Sequence, residues 1–376
     1  MSSIRSLYIH VPYCRHLCNY CDFYKVRLSD ARTQFGDYER YLQRNWERHE
    51  SLRAQLGLAW EPLETLYFGG GTPSLWVRGP EFLAQKPFSE LRLATGAEVT
   101  LEIDPGAWDE ASLRAWKEFG VNRFSVGTQA FDEDFLRVLD RTHDLASVRV
   151  LLGRLAGENF SVDFLLGAPE LTQPRQIERE LEELLRYEPR HVSLYILQPA
   201  AGYKLKTKIP DDERVGAEYL RVSEFLRAAG YHHYEVSNFA RPGFESRHNL
   251  KYWHSKNVAG IGPSATGYFG LAGDTGLRYK WKVSDAAEER EALGAAEVGL
   301  EKLYLRLRLS EPFAVREFYA DAQSQGSFTS LLEDWQLRGY CHSEGLKWRM
   351  LPTGWVVLDS LMGELFQRVT GEAGPS

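Results

Sequence analysis

Short apolar runs alternate with helically spaced apolar positions over the first 200 residues. Strand-like runs lie at Leu7–Val11, Thr65–Phe68, Glu98–Ile103, Arg123–Val126, Ser161–Leu166 and His191–Leu197. They are rich in Val, Ile, Leu, Phe and Tyr, and several are nearly continuous in apolar residues, as strands covered on both faces are. Helical spacing runs over Phe35–Leu56, Asp109–Phe119, Asp132–Leu139, Ala146–Leu155, Gln173–Tyr187 and Asp211–Ala229. Asp109 reads as an N-cap and Gly120 as a stop, Gly157 ends the fourth helix, and Pro174 suits the first turn of the fifth. Six βα units predict an α/β fold with a parallel sheet, either an open doubly wound sheet or a full or partial barrel. Polar residues collect just past the carboxyl ends of the strands, which favours the barrel.

The pattern changes after Gly230. Tyr231–Phe239 reads as one strand, followed by a loop rich in Gly, Asn and His as far as Phe269. Leu271–Leu300 reads as a short polar linking region with a charged run at Ala286–Glu291. Leu303–Leu309 reads as a strand, Val315–Ala322 and Leu331–Arg338 as helices, and Trp348–Leu351 with Trp355–Leu358 as a hairpin. The order suggests a small winged-helix-like domain. The expected division is 1–230 for the barrel, 231–300 for an extension and linking region, and 301–376 for the C-terminal domain.

Composition narrows the function. The 376 residues are 43% hydrophobic and 26% charged, ordinary for a globular chain, with a formal net charge of −7. An acidic balance argues against nucleic acid, which wants a basic face. There is no secretory signal and no stretch of eighteen apolar residues, so no membrane span is expected. With only four cysteines, a disulfide framework is not expected and a cytoplasmic chain is. Aromatic residues make up 13% of the chain, a share that serves core packing and also suits a flat, greasy ligand.

Three of the four cysteines stand together. Cys14, Cys18 and Cys21 form a C-x3-C-x2-C loop directly after the first strand. Three local thiolates can hold three corners of an iron–sulfur cubane and leave one iron open to a small molecule, since such clusters usually take four cysteines. A closed zinc site is the competing reading, with His10 or His16 as fourth ligand. Cys341 is distant and reads as a small buried residue. After the second strand, Gly69-Gly70-Gly71-Thr72-Pro73 lets backbone approach a polar ligand closely but lacks the nucleotide P-loop pattern. Glu102, Asp104, Gln129, Asp163 and Gln198 fall at or near later strand ends, and together they describe a pocket. His248-Asn249-Leu250-Lys251-Tyr252-Trp253-His254 is the densest polar–aromatic knot in the chain. Its histidine can ligate iron and its rings can stack on a planar macrocycle, or the knot can simply pack under the barrel rim. His232 and His233 read as strand residues.

With YIHVPYCRHLCNYCDF, FGGGTPSL, LEIDPG, RFSVGTQAF, YEVSNFA and HNLKYW, the chain resembles the radical S-adenosylmethionine superfamily. Within it, the resemblance is to the branch of oxygen-independent coproporphyrinogen III dehydrogenases and HemW-type haem chaperones, and it runs from Leu7 to about Phe366. It implies a partial (β/α)6 barrel with a smaller C-terminal domain. Cys14, Cys18 and Cys21 would hold a [4Fe–4S] cluster whose open iron is chelated by S-adenosylmethionine. Tyr8, Tyr20, Gly70, Gly71, Thr72 and Glu102 would line the S-adenosylmethionine site. Gln129, Arg141 and Asp163 match positions that serve a second S-adenosylmethionine in the dehydrogenase. Where the dehydrogenase has a further cysteine, this chain has Phe23, as the chaperones do, and it carries their HNxxYW pattern. The stretch DFLLGAPELTQP departs from the branch, which usually has Leu before the Pro and Gly after it. The resemblance therefore implies haem as cargo, with His248, Tyr252 and Trp253 as the haem residues and no separate catalytic residue. Haem-accepting proteins and an electron donor would be its partners. The alternative is a porphyrin-directed radical enzyme that decarboxylates coproporphyrinogen III.

Overall fold

The computed structural model describes residues 3–169, 175–198, 203–284 and 286–370. Pro174 and Pro199, together with residues 170–173, lie outside the described residues.

Six parallel strands form the frame: β1 (Ser3–Val11), β2 (Ala59–Gly70), β3 (Leu93–Ile103), β4 (Arg123–Gln129), β5 (Phe160–Leu166) and β6 (His191–Ile196). They sit side by side in chain order. A doubly wound sheet reverses its strand order part-way, so an unreversed order marks a sheet wrapping one way, a partial barrel. Helices Ala31–Gln55, Glu110–Phe119, Leu145–Arg154, Ile177–Leu185 and Asp212–Ala228 follow the strands. The first helix starts four residues before the expected Phe35, because Asp30 caps it by accepting from the Arg32 and Thr33 amides at 3.1 and 3.3 Å. Asp109 caps the second from Ser112 N at 2.8 Å, and Gly120 ends it at φ 118°.

The strands are covered on both sides, but unequally. One face of each packs on helices: Phe68 meets Trp116 with centroids 4.8 Å apart. The other face turns inward and is polar. Thr65 and Tyr67 on β2, Glu98, Thr100 and Glu102 on β3, Arg123 and Ser125 on β4, and Ser161 and Asp163 on β5 alternate with the apolar positions. The near-continuous apolar reading missed this alternation because Tyr and Thr count toward strand formation on either face.

The main sheet extends past residue 230. Tyr231–Phe239 is not one strand but a hairpin, β7 (His232–Glu235) and β8 (Asn238–Ala240), with β8 antiparallel to β6. The loop expected up to Phe269 contains a helix, Arg247–Trp253, and a strand, β9 (Ala259–Ile261), that adds to β1 in parallel. The end of that loop and the expected linking region form a second sheet: β10 (Thr266–Gly270), β11 (Gly276–Trp281) and β12 (Glu288–Leu293), antiparallel throughout. Its charged positions are the outer face of strands whose inner face carries Phe269, Leu277, Tyr279 and Trp281, all buried.

Leu303–Leu309 is not a strand. It belongs to the helix Ala295–Leu307, opened by a Glu297 side chain that accepts from Gly294 N at 2.7 Å. Val315–Glu317 is a single 3-10 turn, and the expected Leu331–Arg338 is the last part and C-cap of one long helix, Ala322–Leu337. The hairpin comes earlier than expected, as β13 (Cys341–Glu344) and β14 (Lys347–Met350), turning at Gly345 with φ 65°. Pro352 then opens a helical turn instead of a second strand, as suits proline at a first helical position. Helix, hairpin and the closing helix Leu358–Thr370 surround a second core centred on Phe328, Trp335 and Leu361. Among the described residues no helix is long and apolar enough to cross a membrane.

Candidate cofactor site and adjoining aromatic cavity

The cysteine loop leaves β1 at Pro12 and returns as Val26–Arg27 pairs with Tyr13–Cys14. Val26 N donates to Pro12 O and Leu28 N to Cys14 O, both at 2.8 Å, so the loop is pinned at its neck. Between these points Cys14, Cys18 and Cys21 are free, half-buried thiols. All three open on one cavity of about 440 Å³ at the carboxyl ends of the strands. Among the described residues no three His, Cys, Asp or Glu side chains converge on a single-ion position. Of the two histidines of the zinc reading, His10 is not spare, since it bonds Tyr8 OH and Tyr24 O at 3.0 Å through its two nitrogens; His16 lies 3.0 Å from Asp140 but makes no hydrogen bond through its Nε2.

The glycine turn is shaped by its neighbours. Gly70 has φ 114°, and a β-carbon there would stand 2.4 Å from the His10 ring; at Gly71 it would stand 2.7 Å from the Pro12 carbonyl carbon. The turn's amides are engaged. Gly70 N donates to Glu102 Oε2 at 2.9 Å, Gly71 N to Val11 O at 2.8 Å and Thr72 N to Tyr13 O at 2.7 Å. What the turn offers a ligand is carbonyl oxygen, which suits a cationic amine.

Three carboxylates face the same space. Burial, helped by the nearby Asp163 charge, pushes Glu102 up to about 7. Burial raises Asp163 to about 6. Burial works the same way on Asp104, but the Arg141 guanidinium, His143 and the Gly106 amide together outweigh it and hold that carboxyl at about 2. Arg141 pairs with Asp104 and donates to Gly127 O at 3.2 Å and to the Cys18 sulfur at 3.7 Å. Gln129 Oε1 and Arg141 Nε are buried without partners. A cavity with three open thiols, carboxyl groups of differing proton affinity and orphaned polar atoms fits a cluster carrying a sulfonium ligand with an amino-acid head.

Of the residues expected there, Tyr20, Gly70, Gly71, Thr72, Glu102, Gln129, Arg141 and Asp163 line this cavity with the cysteines. Tyr8 does not. It lines a second cavity of about 670 Å³, together with Tyr252 and Trp253. Asp22 and Phe23 line both, so the two spaces adjoin across Phe23, which is 71% exposed.

The helix Arg247–Trp253 is held over the barrel by Glu98, whose carboxylate accepts from the Arg247 and His248 amides at 3.1 and 2.9 Å. This docking directs Tyr252 and Trp253 to the second cavity and His248 away from it. His248 is 2% exposed; its Nδ1 bonds Thr65 Oγ1 at 2.9 Å, and its ring packs on Tyr67 and Tyr252. Burial lowers it to about 3, so it is neutral. His248 is therefore separated from the haem-sized space that its two neighbours face. Sequence reading missed the opposite wall, formed by Tyr268, Arg278 and Lys280 of the second sheet. Its signal was the period-two register at 266, 268, 278 and 280, hidden in what read as a loop and a linker.

The Radical SAM superfamily model matches residues 8–184. The heme chaperone HemW of Synechocystis sp. is 35% identical over 324 residues, covering 81% of this chain and 77% of that one. The heme chaperone HemW of Bacillus subtilis is 30% identical over 374 residues, covering 90% and 93%. The chain belongs to the HemW family. HemW-family membership in the radical SAM superfamily implies a [4Fe–4S] cluster and S-adenosylmethionine, the groups that the first cavity fits. A solved structure of Escherichia coli coproporphyrinogen III oxidase, HemN, superposes with a TM-score of 0.78 over 97% of this HemW-family chain and 90% of that one, at 19% identity. That likeness is one of fold.

Proposed function

We propose that this chain is a cytoplasmic haem chaperone. It binds haem as cargo and delivers it to acceptor proteins, while Cys14, Cys18 and Cys21 hold a [4Fe–4S] cluster that binds S-adenosylmethionine. The chemistry that the cluster would supply when bound is one-electron reduction of the sulfonium, for which an external electron donor would be needed. Around it, the Gly70 and Gly71 carbonyls and the Glu102 carboxylate would receive the ligand's cationic end, Gln129 would offer a free amide oxygen, and Tyr20, which lines the same cavity, would meet its apolar part.

The observation that carries the haem reading is the second cavity. It has room for a macrocycle, it is lined by Tyr252, Trp253, Tyr268 and Phe23, and it adjoins the cysteine loop at Phe23. Tyr252 and Trp253 face the cargo. His248 acts from below, setting the helix that carries them. The test is anaerobic reconstitution followed by parallel haem-binding and coproporphyrinogen III assays. Haem uptake without a vinyl-bearing product supports the chaperone. Turnover to such a product identifies the decarboxylating enzyme instead.

A further inference from the structure

The second cavity has a charge pattern that its aromatic lining does not explain. Five side chains of its wall belong to charged types: Asp22, Lys256, Arg278, Lys280 and Glu301. Arg278 is already spent, bonded to Glu291 and to Glu301 at 2.5 and 2.7 Å. Asp22 is exposed at the shared rim. Lys256 and Lys280 have no ion-pair partner among the described residues. Lys280 projects from β11 on the same face as Arg278, opposite Thr266 of β10, and Lys256 follows the helix that bears Tyr252 and Trp253. The two ammonium groups thus approach the cavity from two different elements. Trp253 Nε1 is also buried with no partner.

We propose that Lys256 and Lys280 receive the two carboxylate arms of a planar macrocycle held in this cavity. Charge pairing then fixes the edge by which the cargo is held. This rests on the haem-carrier reading and adds a specificity to it: the ligand is a dicarboxylate, and its ring lies against Tyr252 and Trp253 while its charged edge faces the lysines. Each pairing is a charge-assisted hydrogen bond, stronger than a neutral one and weakened by salt. Both lysines are exposed, so replacing them leaves the two cores untouched.

The test compares haem with haem dimethyl ester, which keeps the ring and loses both charges. Both are titrated into the reconstituted full chain and into a Lys256→Gln, Lys280→Gln double variant, with iron, sulfide and circular dichroism checked in each. Wild type is expected to bind haem roughly tenfold or more tighter than the ester, the scale of one or two charge-assisted bonds. The double variant is expected to bind both equally, near the wild-type affinity for the ester, while Lys280→Arg keeps the preference. A double variant that binds haem as wild type does, or a wild type indifferent to esterification, overturns the proposal and leaves the haem-carrier reading standing. A wild type that takes up no haem overturns both.

Discussion

The Arg141 guanidinium donates to the Cys18 sulfur at 3.7 Å while it pairs with Asp104. A hydrogen bond to a ligating sulfur stabilises the more negative, reduced state of an iron–sulfur cluster and raises its potential. Arg141→Gln is therefore expected to shift the cluster potential to more negative values, read by potentiometric titration with electron paramagnetic resonance. Arg141→Lys keeps the charge but loses the planar fork, and should fall between the two. An unchanged potential in the Gln variant would show that the contact does not act on the cluster.

Phe23 lies where the two cavities meet and is 71% exposed. Removing an exposed ring leaves stability within about 0.5 kcal/mol. Phe23→Ala should therefore unfold at the same denaturant concentration as wild type, yet bind haem more weakly, since the ring walls the aromatic cavity. Equal haem affinity in the two proteins would place the cargo elsewhere.

Glu102 gives the site a pH dependence. Burial raises its folded-state value to about 7, above the ordinary carboxyl range. The folded cluster-free chain then holds a proton that the unfolded chain has lost. The stability this contributes is complete below the ordinary Glu value and is lost as pH rises through about 7. In urea unfolding of the cluster-free proteins, the stability of wild type relative to Glu102→Gln should fall from pH 5 to pH 8; the buried His10, His191, His233 and His248, whose values burial lowers, act in the opposite direction below the ordinary histidine value but do so in both proteins. Asp163, raised to about 6, contributes in the same direction in both proteins. Parallel pH profiles would contradict the placement of Glu102.

Gly70 tests the turn. At φ 114° any other residue is strained by about 1–3 kcal/mol, and a β-carbon there would overlap the His10 ring. Gly70→Ala is expected to lower stability by about that much and to weaken S-adenosylmethionine binding, measured by calorimetry on the reconstituted protein. Full ligand affinity in this variant would mean that the turn does not touch the ligand.

The barrel was legible because parallel strands with intervening helices leave two clear periods in the chain, and because Asp109, Gly120 and Asp211 mark helix ends by local chemistry. The cysteine loop and glycine turn were legible for the same reason: both are contiguous. The second sheet was not. Its strands carry charge on one face, at Arg278, Lys280, Glu289 and Glu291, and this outweighed the buried Leu277, Tyr279 and Trp281 between and beside them. The aromatic cavity is built from Tyr8, Phe23, Tyr252 and Tyr268, which lie far apart in sequence, and no local pattern joins them. His248 drew attention as an iron ligand by its type. Its burial under Tyr8 and Tyr67 depends on Glu98, 150 residues away, docking its helix.

The most direct test is a haem titration of the anaerobically reconstituted chain beside its Trp253→Ala variant, followed by visible absorption. One haem per wild-type chain, weaker uptake by the variant, and equal iron and sulfide content in both are expected. No haem uptake by wild type, or equal affinity in the two proteins, would contradict it.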